Sequence, residues 1–196
     1  LLVVGDSTAV GTGAGAPESS VAGRLASAFP ALRIDNRAVD GARTADVLQQ
    51  LQREPLTHFD AILIQTGGND ILRLTDLSRL RRVTRELFDA AHARSAHVVM
   101  MSTGDVGQAP AFPWPLDAWY SRRTRQVRAL FMELAAANDI DYVDLFDPGA
   151  DNPFRREPQK YYARDGLHPS AAGYGAWFDR LMANSSISDV FVAVAR

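Results

Sequence analysis

Cysteine is absent from this chain. That excludes disulfides, thiolate metal sites and a cysteine nucleophile, and it leaves the redox compartment open. Long apolar runs are also missing: none reaches 18 residues, so no segment reads as a membrane-spanning helix. Nor is there a surplus of one charge. Lys and Arg number 21 against 23 Asp and Glu, a formal net charge of −2, so no overall field points to nucleic acid as a partner. Histidine is scarce at four residues. His58, His92 and His97 form no His-Glu-x-x-His or comparable ligand pattern and read as structural or surface residues, so no metal is implied. An initiator Met is lacking, and the chain opens directly in Leu1-Leu2-Val3-Val4. An upstream segment, including a signal peptide or anchor, stays open, and with it the choice between a cytoplasmic and an exported protein. What remains is ordinary for a soluble globular domain: 196 residues, 46% hydrophobic and 22% charged, with no internal repeat, linker or low-complexity segment. The expectation is one domain over residues 1–196.

Apolar runs alternate with longer amphipathic stretches. Leu1–Val4, Leu32–Val39, Ala61–Gln65, His97–Met101 and Ile140–Leu145 read as strands, with Ala61-Ile62-Leu63-Ile64-Gln65 the cleanest central one. Between and after them, Ser20–Phe29, Thr44–Arg53, Leu77–Arg94, Leu116–Asn138 and Ser170–Met182 read as helices. Thr44 and Ser170 are candidate caps, and Tyr174, Trp177, Phe178 and Leu181 form one apolar stripe. Such alternation predicts an α/β fold, a parallel sheet with right-handed crossovers and helices on both faces. The longest irregular stretches, Gly104–Pro115 and Phe146–Pro169, have the length of functional loops.

In such a sheet the site lies at the carboxyl ends of the strands. Asp6-Ser7 follows the first strand, Asp40-Gly41 the second and Gly67-Gly68-Asn69-Asp70 the third, and Asp165-Gly166-Leu167-His168-Pro169 lies beyond the fifth. Serine is a poor nucleophile until a base takes its proton, and the base works best when a third group orients it. Ser7, His168 and Asp165 are those three parts, at opposite ends of the chain.

Over nearly its full length, and in the same order of blocks, the sequence resembles the SGNH hydrolases, the GDSL-type esterases and lipases. Gly5-Asp6-Ser7 matches the nucleophile block, although Thr8 stands where leucine is common. Asn36-Arg37-Ala38-Val39-Asp40-Gly41 resembles the block that supplies a glycine, Gly67-Gly68-Asn69-Asp70 matches Gly-x-Asn-Asp, and Asp165-Gly166-Leu167-His168 matches Asp-x-x-His. The resemblance implies a three-layer α/β/α sandwich of about five parallel strands in the order 2-1-3-4-5, flavodoxin-like. It implies Ser7 as nucleophile, His168 as general base and then acid, and Asp165 as its orienting carboxylate. The oxyanion hole would comprise the backbone N–H groups of Ser7 and Gly41 and the side-chain amide of Asn69. The implied reaction is hydrolysis of a carboxylic ester through an acyl-serine, with a small-molecule ester as substrate, a short acyl chain favoured, and no metal or organic cofactor. Oligomeric state is left open.

Other readings compete. Ser7 and Asn69-Asp70 each also suit helix caps, and Gly41 suits a turn. Gly11-Thr12-Gly13-Ala14-Gly15-Ala16 fits the dinucleotide fingerprint Gly-x-Gly-x-x-Ala, with Asp35 about 20 residues on as a ribose-binding acid; the rival is a nucleotide-binding oxidoreductase or binding module. Against it, Asp6–Val10 separates those glycines from the first strand. A non-catalytic acyl- or carbohydrate-binding descendant of the hydrolase fold would need a catalytic part missing. Arg79-Leu80-Arg81-Arg82 and Arg122-Arg123-Thr124-Arg125 read as solvated helix faces rather than phosphate sites. Phe112, Trp114, Trp119 and Tyr120 divide evenly between packing and a pocket wall.

Overall fold

The structure, a computed structural model, describes residues 1–53 and 58–194. Five strands run parallel: β1 (Leu2–Gly5), β2 (Asp35–Asn36), β3 (Ile62–Gln65), β4 (Val98–Met101) and β5 (Asp141–Val143). Their order is β2-β1-β3-β4-β5, as expected. The helices are α1 (Ser7–Val10), α2 (Val21–Ala28), α3 (Thr44–Arg53), α4 (Gly68–Leu72), α5 (Leu77–His92), α6 (Leu116–Ala137), α7 (Pro153–Arg156), α8 (Pro158–Tyr161), α9 (Ala171–Asn184) and α10 (Ile187–Val194).

Strand period two explains the layers. Leu2, Val4, Ile62, Ile64, Val98 and Met100 face one way and pack with Val47 and Leu51 of α3, Leu87 and Phe88 of α5, and Phe131 and Leu134 of α6. Val3, Leu63, Val99 and Met101 face the other way and pack with Leu25 of α2, Tyr174, Trp177 and Leu181 of α9, and Ile187 and Phe191 of α10. Both faces are covered, so the central strands read as continuous apolar runs.

Two strands are shorter than the sequence implies. Leu32–Val39 was expected as one strand, yet only Asp35 and Asn36 pair in the sheet. Leu32 N–H instead closes a turn on the Phe29 carbonyl at 2.9 Å, while Leu32 and Ile34 pack on the α9 side of the core. At the other edge Asp144 leaves the ladder. Its carboxylate takes two bonds from Arg128 Nε at 2.9 and 3.0 Å, and its Oδ1 accepts Phe146 N–H at 3.1 Å. An ion pair plus an Asx-type turn outcompetes strand extension.

The caps divide similarly. Ser170 Oγ accepts from Gly173 N–H at 3.2 Å, as expected. Thr44 is not a cap: it is the first residue of α3, and both its N–H and its hydroxyl donate to Asp70 Oδ2, at 2.8 and 2.7 Å. Asp46 serves the helix start instead, accepting Arg43 N–H at 2.9 Å, the backward half of a capping box.

Candidate active site

The four polar clusters meet at the carboxyl edge of the sheet. Ser7 is the first residue of α1, directly after β1 and Asp6, and it is 8% exposed. It is not the helix cap. Asp6 holds that position, with Oδ1 accepting Thr8 N–H at 2.9 Å and Thr8 Oγ1–H at 2.7 Å. The capping alternative for Ser7 therefore falls to its neighbour, and the Ser7 hydroxyl is directed elsewhere.

It meets His168 Nε2 at 2.9 Å. On the far side of the ring, His168 Nδ1 lies 2.6 Å from Asp165 Oδ2. A carboxylate only accepts, so Nδ1 carries the proton in the neutral ring and Nε2 accepts from Ser7 O–H. Asp165 folds back in a tight turn: Oδ1 accepts Leu167 N–H at 2.9 Å and His168 N–H at 3.0 Å. Partial burial pushes its carboxyl up. The bonds from the His168 ring and the two N–H groups, helped by the charge of His168, outweigh that and hold it below the usual aspartate range. The loop closes through Ala163 N–H to the His168 carbonyl at 2.8 Å and an antiparallel bridge between Tyr162 and Pro169. It also needs Gly13. A Cβ there would stand 2.6 Å from the Pro169 carbonyl and 3.0 Å from His168 Cβ.

The three expected oxyanion donors also converge. Ser7, Gly41 and Asn69 line one cavity with His168. Gly41 has φ +76°, a left-handed conformation that glycine adopts without a Cβ penalty. Asn69 is the second residue of α4, whose start is capped by Gly67 without any side-chain bond, so neither Asn69 nor Asp70 serves as the cap. Asp70 is 1% exposed, and its Oδ2 accepts both the N–H and the hydroxyl of Thr44. It ties the start of α3, just after Gly41, to the turn that carries Asn69. Among the described residues, no group accepts from the N–H of Ser7, the N–H of Gly41 or the Asn69 amide.

The cavity is about 250 Å³. Its apolar wall includes Leu72, Val106, Ala109, Leu145, Phe154 and Trp177. None of Phe112, Trp114, Trp119 and Tyr120 lines it. Phe112 and Tyr120 pack on each other at 4.5 Å between ring centroids, and Trp119 edges onto Tyr120 at 4.9 Å. The aromatic wall comes from the 153–162 region and α9 instead. Trp177 was legible as part of the α9 core stripe, but its exposure to the site was not; Phe154 and Tyr162 sit in α7 and just after α8, helices too short for periodicity to reveal. A second carboxylate, Asp6, is 2% exposed and lines the cavity. Burial pushes it up to about 6, opposed by its Thr8 bonds and by His168. It is not the ring partner of His168; Asp165 is.

The rival fingerprint has no support in the geometry. Gly11 ends α1 rather than joining β1 to a helix, and Gly13 makes room for the His168 loop. Asp35 lies level with Leu2 at the opposite end of β1 and pairs with Arg37 at 2.9 Å. Among the described residues, no group of three or more His, Asp or Glu side chains could hold a metal ion, and no helix is long and apolar enough to cross a membrane. His92 Nε2 contacts the Asn138 carbonyl at 2.8 Å, a structural contact.

Known proteins resemble this chain in sequence and in fold. The chain is 28% identical over 191 residues to the GDSL-like esterase Rv1075c of Mycobacterium tuberculosis, a match that covers 92% of this chain and 60% of that protein. The chain thus spans about 60% of the length of its curated relative. Among solved structures, the fold is similar to a protein from Lactobacillus plantarum (TM-score 0.76, 19% identity, 93% of each chain), to an extracellular lipase from Streptomyces rimosus (0.72, 20%, 94% of this chain and 98% of that) and to TesA (0.71, 21%, 93% and 96%). The family model described as GDSL-like lipase/acylhydrolase matches residues 3–176, most of the chain. A strand-end serine, a distant Asp-x-x-His loop and the sheet order around them therefore have one common explanation: the chain belongs to the GDSL-like lipase/acylhydrolase family of SGNH hydrolases.

Proposed function

We propose that residues 1–196 form a single catalytic domain that hydrolyses carboxylic esters through an acyl-Ser7 intermediate. The observation that carries this reading is the unbroken chain from Ser7 Oγ to His168 Nε2 at 2.9 Å and from His168 Nδ1 to Asp165 at 2.6 Å. Ser7 Oγ attacks the ester carbonyl carbon while His168 Nε2 takes its proton. The carbonyl π electrons move onto oxygen, which the N–H groups of Ser7 and Gly41 and the Asn69 amide receive. Collapse expels the alcohol, protonated by His168, and leaves the acyl-serine. Water, activated by the same imidazole, releases the acid. Donors left free by the protein are preorganised for a charge that develops only during reaction.

The cavity favours a short acyl chain. At about 250 Å³ it lies below the roughly 300–1,000 Å³ of pockets for drug-sized ligands, and its apolar wall suits an alkyl chain better than a charged group. In a panel of aryl esters of increasing acyl length, kcat/KM should peak at the short end, and a fluorophosphonate should label the wild-type protein once. A peak at long chains would overturn the chain-length reading, and failure to label would overturn the acyl-serine.

Asn69→Ala should lower kcat by about 10²–10³, roughly 3–4 kcal/mol, with little change in KM, because the amide meets the oxyanion mainly in the transition state. Steady-state kinetics and a melting curve on one preparation check this. A rate within a few-fold of wild type would remove Asn69 from the oxyanion hole.

A further inference from the structure

We propose that Gln50, on α3, is a positioning residue for the nucleophile; the inference rests on the reading of Ser7 as that nucleophile. Gln50 is 7% exposed, and its amide is spent on one distant residue. Oε1 accepts Gly5 N–H at 2.9 Å and Nε2 donates to the Gly5 carbonyl at 2.9 Å. Gly5 is the last residue of β1, two positions before Ser7.

The need for this clamp comes from the edge of the sheet. The segment after Ile34 donates to β1 from Asp35, Arg37 and Val39, to the carbonyls of Leu1, Val3 and Gly5. Its pairing in register ends at Asn36, and the Gly5 N–H takes its acceptor from a side chain instead. In an extended residue, N–H and C=O point to the same side, and a primary amide presents a matching acceptor and donor. Gln50 therefore supplies the acceptor that the edge segment does not give Gly5 N–H at the tip of β1, and adds a second donor to the Gly5 carbonyl beside Val39 N–H. On the other side Asp6 N–H is held by the Gln65 carbonyl of β3 at 3.0 Å. The backbone that aims Ser7 is thus fixed from both flanks.

The same helix reaches a second part of the site. Thr44 at its start holds Asp70, next to Asn69. One rigid element, α3, ties the strand that ends in Ser7 to the turn that carries Asn69. Losing the Gln50 amide would leave a buried N–H without an acceptor and free the tip of β1 to shift against α4. A shift of 1 Å in reacting groups can cost about 10²-fold in rate.

Two variants test this beside wild type and Ser7→Ala, using a short-chain aryl ester, the rate of fluorophosphonate labelling and thermal melts. Gln50→Met keeps the side-chain length and loses both bonds. It should melt lower, lose about 10- to 100-fold in kcat and in labelling rate, and change KM by less than about threefold. Gln50→Glu keeps a donor only while its carboxyl is protonated; once ionised it sets negative charge against the Gly5 carbonyl. The ratio of its kcat to that of wild type should therefore fall as pH rises. A core amide with only a structural role would lower the melting temperature and leave the folded enzyme's kcat, and that pH ratio, unchanged. Folded Gln50→Met with kcat within about twofold of wild type would overturn the proposal. If Gln50→Met does not fold, a flat ratio near one for Gln50→Glu overturns it, and a ratio falling with pH supports it. Wild-type turnover that survives in Ser7→Ala would instead overturn the nucleophile assignment on which the proposal stands.

Discussion

Ser7→Ala should lose ester turnover by a factor on the order of 10⁶ in kcat and keep its fold. The loss is expected because the Ser7 hydroxyl serves the His168 ring at 2.9 Å rather than the helix, whose cap is Asp6. Its removal unpairs only His168 Nε2, which lines the cavity, so the melting temperature should stay near that of wild type. A fluorophosphonate should label the wild-type protein and leave the variant untouched. Equal labelling of the two, or full activity in the variant, would sink the assignment.

Asp165→Asn should cost up to about 10⁴ in kcat, the second-largest effect expected. The variant keeps an oxygen for the N–H groups of Leu167 and His168, so the turn should persist. What changes is the proton on the ring. An amide nitrogen facing Nδ1 donates, which shifts the imidazole proton to Nε2 and leaves no acceptor for Ser7 O–H. The attractive charge beside the imidazolium is lost as well. Because the bonds it accepts hold Asp165 below the usual aspartate range, wild type keeps that charge throughout the neutral range, and the deficit of the variant should persist across it. The measurement is kcat at several pH values for both proteins. Equal kcat would show that a different group orients His168.

Much of the fold was legible because its signals are local and long. Residues 61–64 are apolar throughout, and α5 and α6 show helical periodicity over 16 and 22 residues. The short edge strands were overestimated, since their limits are set by competitors invisible in a linear pattern: the Phe29–Leu32 turn at one edge and the Arg128–Asp144 pair at the other. α7, α8 and α10 left too little periodicity to read. Ser7, Gly41, Asn69, Asp165 and His168 could be named because they lie in compact blocks after the strands; the fold brings Ser7, Gly41, Asn69 and His168 to one cavity, with Asp165 behind the His168 ring. Gln50 could not. It sits in a run of ordinary helix-forming residues, and its distinction is a contact 45 positions away. Thr44 misled for the same reason: threonine before a helix suggests a cap, and only the arrival of Asp70 redirects it.

The bond between Ser7 and His168 spans 161 positions of the chain. Closing a loop of that length early would cost entropy with few contacts in return, and contacts of such separation form slowly in folding chains. The contact joins the start of α1, directly after β1, to a loop beyond β5, so the proposed catalytic pair depends on the completed topology. Helices with local contacts do not require that contact, whereas the Ser7–His168 pair does. On the proposed mechanism, labelling by a phosphonate should therefore report molecules in which this long-range contact is made, whereas an optical signal from helices should not require it.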